Sequence, residues 1–576
     1  MSDQINDFVV KIANVNGTGS ASANGMLMKS IFRMGIPVVG KNFFPSNIQG
    51  LPTWYEIRIS KQGYLSRSGN VDMMIAMNAQ TYADDVAEIS PGGYLLYDST
   101  WPRKDLETAR DDITVIGIPL SGMCNEAFEA ARAKVLMKNV AYVGALVALL
   151  DMDMEVITNL LHETFATKQH LMDANMQAIK MGYDYATENF ECPLPIRLEH
   201  MDETDGHVLI DGNTAAGLGA VYAGATVASW YPITPSTSLI DGFTTYCKAL
   251  RKDPETGKNN YCIVQAPGIS LMSEFLGLAY FAEIPAVLFD VQRVGPSTGM
   301  PTRTQQGDIL ASAYASHGDT RHVLLFPADP KECFEMAATA FDLAERLQTP
   351  VIVLSDLDIG MNDWMIPELK WDENYVPDRG KVYTESQLKD MDVFHRYVDV
   401  DGDAIPYRTL PGVHPTGAYF VRGSGHNRYG GYTEKSDEYK DVLDRLRRKS
   451  DTAGSIAPAP IIDGKGETEW AIISIGSCDG AIIEARDRMR ESGIDLDYMR
   501  ILAFPFNQDV ADFIERYERV FVIEQNRDAQ LRQLLISDLE LDSKQLTPLL
   551  SYDGMPVSCS FIVDSIQEAI SRNEAA

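Results

Sequence analysis

The sequence predicts an α/β protein of three domains with parallel sheets. Short apolar runs of strand length recur along the chain, including Phe8–Val15, Val71–Met77, Pro285–Phe289, Pro350–Leu354 and Arg519–Glu524, with stretches of helical spacing between them. Several of these runs are continuously apolar rather than alternating, the pattern of a sheet covered on both faces. The chain has 576 residues, 45% of them hydrophobic, which is ordinary for a globular protein and too long for a single core.

The first domain is expected over residues 1–195. Phe8–Val15 reads as a strand and Met26–Met34 as a helix, joined by the glycine turn Gly17-Thr-Gly-Ser-Ala-Ser-Ala-Asn-Gly25. Ser22 stands where a dinucleotide fingerprint needs its third glycine, so a tight turn with close helix packing is the plainer reading. Val71–Met77, Gly93–Tyr97 and Asp112–Gly117 continue the strands. Val140–Leu150 is too short to span a bilayer, runs into Asp151 and Asp153, and reads as a core helix.

The second domain is expected over 200–455. Asn213 is placed to cap a helix through Ala223. Strands are expected at 226–231, 261–266, 285–291, 322–326 and 350–355, and helices at 269–281 and 330–347. Residues 360–450 are rich in proline, glycine and aromatics with little periodicity, as in a functional or subunit-contact region. Residues 456–467, with Pro458 and Pro460, read as a linker. The third domain, 468–576, is again α/β, with strands at Trp470–Ile475 and Arg519–Glu524 and a last helix near Ser565–Ser571.

Lys and Arg number 50 against 81 Asp and Glu, a net charge of −31, which argues against a nucleic-acid or anionic-membrane surface. The polar, acidic start Met1-Ser-Asp-Gln-Ile-Asn does not read as a signal peptide, and a cytoplasmic location is expected. The seven cysteines are widely spaced and never form C-x-x-C, so no local iron–sulfur or structural zinc motif is expected in this chain.

The most informative stretch is Tyr231-Pro-Ile-Thr-Pro-Ser236, lying between a strand-like and a helix-like run. A strand-to-helix junction collects unpaired N–H groups and the positive end of a helix dipole, a natural seat for a carboxylate or phosphate. The plain alternative is a rigid turn with Ser236 or Thr234 as an N-cap. Arg293 also follows a strand end, where ligands of parallel sheets gather, and its planar fork suits a carboxylate; its plain alternative is an ion pair with a nearby acid.

Four blocks, in order, carry a resemblance: Tyr231–Ser236, Asp290-Val-Gln-Arg-Val-Gly-Pro-Ser-Thr-Gly-Met-Pro-Thr-Arg-Thr-Gln-Gln-Gly-Asp308, Arg422-Gly-Ser-Gly-His-Asn-Arg-Tyr-Gly-Gly431 and Glu524-Gln-Asn-Arg-Asp-Ala-Gln530. The chain resembles the fused gamma–alpha subunit of the 2-oxoacid:ferredoxin oxidoreductases, the form most often assigned to 2-oxoglutarate. The resemblance implies a gamma-type α/β domain followed by two thiamine-enzyme-like parallel-sheet domains, of pyrimidine type and C-terminal type. It implies coenzyme-A-dependent oxidative decarboxylation of a 2-oxoacid with electron transfer to ferredoxin, or the reverse carboxylation. The carboxylate-binding roles fall on Thr234 and Arg293, with Tyr231, Ser236, Gln292, Ser297 and Thr298 around them. Gly17, Gly19, Ser20 and Asn24 are candidates for a coenzyme A phosphate. His426 reads as an exposed loop histidine. Glu524–Asp528 could face a subunit interface or coenzyme A, or simply serve a helix N-terminus.

The G-D-G turn and following asparagine that hold thiamine diphosphate through Mg2+ are missing; the nearest string, Asp401-Gly-Asp-Ala404, lacks the second glycine. A separate beta subunit is therefore expected to carry the diphosphate, Mg2+ and a [4Fe–4S] cluster, in a dimer of alpha–beta units, with no metal held by this chain. Pyruvate or a branched-chain oxoacid is the near alternative substrate.

One departure from the family matters. There, the strand matching Tyr261–Ala266 leads into an acidic helix whose glutamate activates the thiamine ring, and a further strand leads to the block matching Pro267–Met272. Here Ala266 meets Pro267 directly, and Glu274 falls after the join. The kept flanks favour residues omitted from this sequence. True loss would instead make the chain a non-catalytic assembly or regulatory subunit.

Overall fold

The computed structural model describes residues 4–46 and 50–574. The first domain is a six-stranded mixed sheet in the order Val38–Phe43, Pro52–Ser60, Asp7–Val15, Met73–Ala76, Tyr94–Asp98, Thr114–Ile118. The first two pairings are antiparallel and the other three parallel. Gly17 and Gly19, with φ of 88° and 84°, turn the central strand into the helix Ser20–Arg33. A parallel pair, Gln4–Ile5 with Ile196–Arg197, ties the start of the chain to the end of this domain.

The expected core helix is longer than its apolar run. Ala131–Leu149 is buried along its second half and lies against Gln169–Asn189. The two backbones approach so closely that a Cβ on Gly144 would sit 2.0 Å from the Ile179 carbonyl oxygen, and one on Gly182 1.9 Å from that of Ala141. Gly144→Ala must push the helices apart. We expect a loss of about 1–3 kcal/mol, read as a lower urea midpoint.

In the second domain the five expected strands appear within a residue or two of their predicted ends, but the expected single sheet is split. One piece has the order Ala286–Gln292, Pro350–Asp356, Val323–Leu325, Ala503–Phe504. The last of these comes from beyond the domain and pairs antiparallel. The other piece is the parallel pair Val227–Trp230 with Cys262–Gln265. The helix Gly212–Tyr222 packs against Thr237–Leu250 and Pro330–Leu347. Its cap is Asp211, which accepts from Thr214 N at 2.8 Å, and not Asn213, which lies one residue inside the helix.

Residues 360–450 are largely irregular until the helix Ser436–Ile456. The stretch read as a linker contains the strand Ile461–Asp463, which pairs antiparallel with Leu496–Arg500. Three residues are too few to show a period of two, which is why composition alone suggests a linker here. The third domain's sheet runs Ile461–Asp463, Leu496–Arg500, Trp470–Ser474, Arg519–Glu524, Leu546–Leu550, parallel apart from its first pair. Its last helix is longer than expected, Cys559–Glu574.

The three domains meet at one polar junction. Lys41 of the first domain reaches into the second, with Nζ 2.9 Å from Asp358 Oδ2 and 3.5 Å above the Trp364 ring. The Asn42 N–H donates to Asn362 Oδ1 at 2.8 Å. Ser477 of the third domain donates to Asp356 and accepts from Gln525 Nε2 at 2.7 Å. No described helix is long and apolar enough to cross a membrane.

Candidate functional site

The strand Val227–Trp230 ends at Tyr231, and the turn passes directly into the helix Thr237–Leu250. Ser236 occupies the N-cap position without capping; its hydroxyl donates back to the carbonyls of Tyr231 (3.2 Å) and Ile233 (3.0 Å). The half-buried Thr234 lies between them, and its hydroxyl makes no hydrogen bond among the described residues. Arg293 follows the strand Ala286–Gln292, and its Nη1 donates to the Thr234 carbonyl oxygen at 2.5 Å. The two residues expected to grip a carboxylate, 59 positions apart in sequence, are therefore in direct contact. Among the described residues Arg293 has no carboxylate at ion-pair distance, so the plain ion-pair reading does not hold.

The surrounding residues divide. Gln292 is buried and fastens the next loop: Nε2 donates to the Ser355 carbonyl at 3.2 Å, and Oε1 accepts from Asp308 N at 3.0 Å. Tyr231, Ser297 and Thr298 are exposed. The loop carrying Ser297 and Thr298 doubles back through a Val294–Met300 bridge. It closes at Gly299, with φ 51°, where a Cβ would lie 2.1 Å from the Val294 carbonyl oxygen.

The far end of this loop is held by all three domains. Thr302 Oγ1 and Arg303 Nη1 donate to the Phe44 carbonyl at 2.7 and 2.9 Å. Thr304 N donates to the Gly554 carbonyl at 3.2 Å, and Gln306 N to that of Gln525 at 2.8 Å. Asn526 Nδ2 returns a bond to the Gln306 carbonyl at 3.0 Å. The second and fourth sequence blocks thus meet. Glu524 itself is buried and serves a helix start, accepting from Leu531 N at 2.7 Å and Arg532 N at 3.0 Å.

Two acids flank the arginine strand. Burial and the charge of Asp308 push the Asp290 carboxyl well above the usual carboxylate range, and Asp290 Oδ2 is sealed without a hydrogen-bond partner among the described residues. Burial raises Asp308 too, against the pull of Arg293. Since the folded Asp290 titrates above its unfolded value of about 3.9, the folded chain binds more protons above pH 4, and stability falls as pH rises towards 8. Asp290→Asn should flatten this slope, checked by urea unfolding at pH 5.5, 6.5 and 7.5.

Most of the third block is exposed or half-buried, but His426 is not the exposed loop histidine expected. His426 is fully buried, stacks on Tyr397 with ring centroids 4.1 Å apart, and is held low in pKa by burial. Repeated glycines gave the block an exposed look, and the aromatic partner comes from a distant stretch. At the first-domain turn, Gly17 is exposed, Ser20 is buried, and Asn24 accepts from the Tyr142 hydroxyl at 2.6 Å. Among the described residues no group of three or more His, Cys, Asp or Glu could hold a metal ion.

The join after Ala266 leaves two sheet edges. Cys262–Gln265 pairs on one side only, and Ala286–Gln292 is the edge of its own sheet. Apolar side chains lie exposed beside the join: Val264 is 47% exposed, Leu271 77%, and Phe275 and Leu278 nearly half. Glu274, in the first turn of the helix Ser273–Ala282, faces solvent.

Residues 9–185 match the family model described as pyruvate ferredoxin/flavodoxin oxidoreductase, and residues 255–399 the one described as its thiamine-diphosphate-binding part. The 2-oxoacid:ferredoxin oxidoreductase 2, subunit alpha, of Aeropyrum pernix is 26% identical over 99% of this chain and 98% of its own. That alignment runs over 641 positions, more than this chain's 576 residues, so the relative carries internal residues that this chain lacks. The 2-oxoglutarate oxidoreductase subunit KorA of Mycobacterium tuberculosis is 26% identical over 98% of this chain and 91% of its own. The solved 2-oxoglutarate:ferredoxin oxidoreductase from Magnetococcus marinus, with 2-oxoglutarate, coenzyme A and succinyl-CoA bound, superposes with a TM-score of 0.87 at 26% identity, over 98% of this chain and 99% of that one. With the Thr234–Arg293 contact and the ordered sequence blocks, these likenesses place the chain in the 2-oxoacid:ferredoxin oxidoreductase family, as an alpha subunit.

Proposed function

We propose that this chain grips the substrate in a coenzyme-A-dependent 2-oxoglutarate:ferredoxin oxidoreductase of the cytoplasm. A beta subunit would hold the cofactor's diphosphate, Mg2+ and a [4Fe–4S] cluster, in a dimer of alpha–beta units that passes electrons to ferredoxin. The observation that carries this reading is an arginine without an acid partner, bonded to the carbonyl of a threonine whose hydroxyl is unspent. Arg293 offers its remaining N–H groups and the Thr234 hydroxyl one neutral donor, which hold the 2-oxoacid carboxylate in one orientation. Thiamine diphosphate, when bound, supplies the nucleophile for the adjacent carbonyl carbon and the sink for its electrons. The N–H groups from Gly19 to Ala21 are proposed for a coenzyme A phosphate.

The residues present fit the substrate's carboxylate but not activation of the thiamine ring, because the described carboxylate nearest the join in sequence, Glu274, faces solvent. The unpaired sheet edges and exposed apolar residues beside Ala266 are what removal of one helix and one strand would leave. We therefore read the join as an omission, to be checked by the mass of the intact subunit against 63.8 kDa. A matching mass, together with no ferredoxin or viologen reduction by the alpha–beta pair given thiamine diphosphate, Mg2+ and coenzyme A, would favour a non-catalytic subunit. The same assay with 2-oxoglutarate, pyruvate and 2-oxoisovalerate ranks the substrates, and preference for either of the last two overturns the 2-oxoglutarate assignment.

A further inference from the structure

We infer that Asn213 is a positioning residue that sets the spacing between the Thr234 turn and the Arg293 strand, an inference that rests on the carboxylate grip proposed above. Asn213 is 1% exposed and belongs to neither element. Its Nδ2 donates to the Pro235 carbonyl at 2.8 Å and to Ser238 Oγ at 2.7 Å, bracing the turn one residue after Thr234 and the first turn of the helix that follows. The Pro235 carbonyl can only accept, which fixes which way the amide faces. The other side of the amide rests on Gly360. A Cβ there would lie 2.8 Å from Asn213 Oδ1 and 2.9 Å from Val291 Cγ1. Val291 lies in the strand that leads to Arg293, two residues before it, so Gly360 is the point where the amide that holds the turn and the strand that leads to the arginine rest on one backbone.

Small residues let this amide reach the turn. A Cβ on Gly217 would lie 2.6 Å from Phe243 N, so the helix bearing Asn213 runs in close contact with the helix after the turn. Among the described residues Asn213 bonds no charged group, and its two donors are both used on the turn. Its effect on a substrate is therefore indirect, through where Thr234 stands relative to Arg293.

The test uses the alpha–beta complex, steady-state kinetics with the best oxoacid of the panel, and thermal unfolding. Asn213→Ala removes both bonds and should raise the oxoacid KM roughly tenfold or more, leaving the coenzyme A KM within about twofold. Ser238→Ala, which removes one bond, should raise it a few-fold. Gly360→Ala, which displaces the amide without touching the turn, should raise it to a similar extent. Arg293→Ala is the control for the grip: no effect there overturns the underlying reading. If Arg293→Ala raises the oxoacid KM while Asn213→Ala, Ser238→Ala and Gly360→Ala change only the melting temperature, or raise both KM values together, the positioning role is overturned. Should Asn213→Ala fail to fold, the other two variants decide the matter.

Discussion

Arg293→Ala is expected to lower kcat/KM for the oxoacid by roughly 30- to 1,000-fold, corresponding to about 2–4 kcal/mol for a charged hydrogen-bonding partner lost from a partly enclosed site. The loss should appear in kcat as well as in KM, because this carboxylate adjoins the carbonyl carbon under attack and leaves as carbon dioxide, so its hold orients the breaking bond as well as binding the substrate. Arg293→Lys should recover only part of it. A lysine keeps the charge, but it has no planar fork to meet a carboxylate while also bonding the Thr234 carbonyl. Thr234→Val, which removes one neutral donor and keeps the shape, should cost about tenfold. A loss of only a few-fold for Arg293→Ala would count against the grip.

The contact behind this expectation was legible before any coordinates, and the reason is local. Tyr231–Ser236 and Arg293 each follow the carboxyl end of a strand, where ligands of parallel sheets gather, although the two strands belong to separate sheets. Neighbours whose role depends on distant partners were not legible. Asn213 looked like an N-cap, and only the packing of two glycine-bearing helices shows that Asp211 does the capping while Asn213 reaches across to Pro235. His426 sits among glycines that suggest exposure, yet Tyr397 covers it. Asp290 belongs to a family block, but its sealed, unpartnered oxygen depends on how the chain is buried around it.

The acid pair and the unpaired arginine also belong to one electrostatic arrangement. In a chain with a net charge of −31, an arginine free of acid partners needs explanation, because acids are plentiful. Two lie nearby. Burial and mutual repulsion favour the protonated form of Asp290, and the backbone N–H of Asp308 is tied to Gln292, which fixes that residue's place. Arg293 acts on Asp308 through its charge without reaching ion-pair distance, and the burial of Asp290 appears as the fall in stability with rising pH expected for it.

Lys41→Ala should be among the most destabilising single changes, about 3–5 kcal/mol, because it leaves Asp358 buried beside Asp356 without a cation. Lys41 and Asp358 are both almost fully buried, so removing the lysine leaves Asp358 Oδ2 without its cation, while Oδ1 keeps its bond from Asn362 Nδ2 at 2.9 Å. Lys41→Met combined with Asp358→Asn removes both charges, fills the volume under Trp364 and keeps a partner for Asn362; it should recover most of the loss, measured by the urea midpoints of the two variants. Recovery would assign the pair to domain docking specificity rather than to net stability. Failure to recover would mean that the ion pair itself contributes to stability beyond the burial of its two side chains.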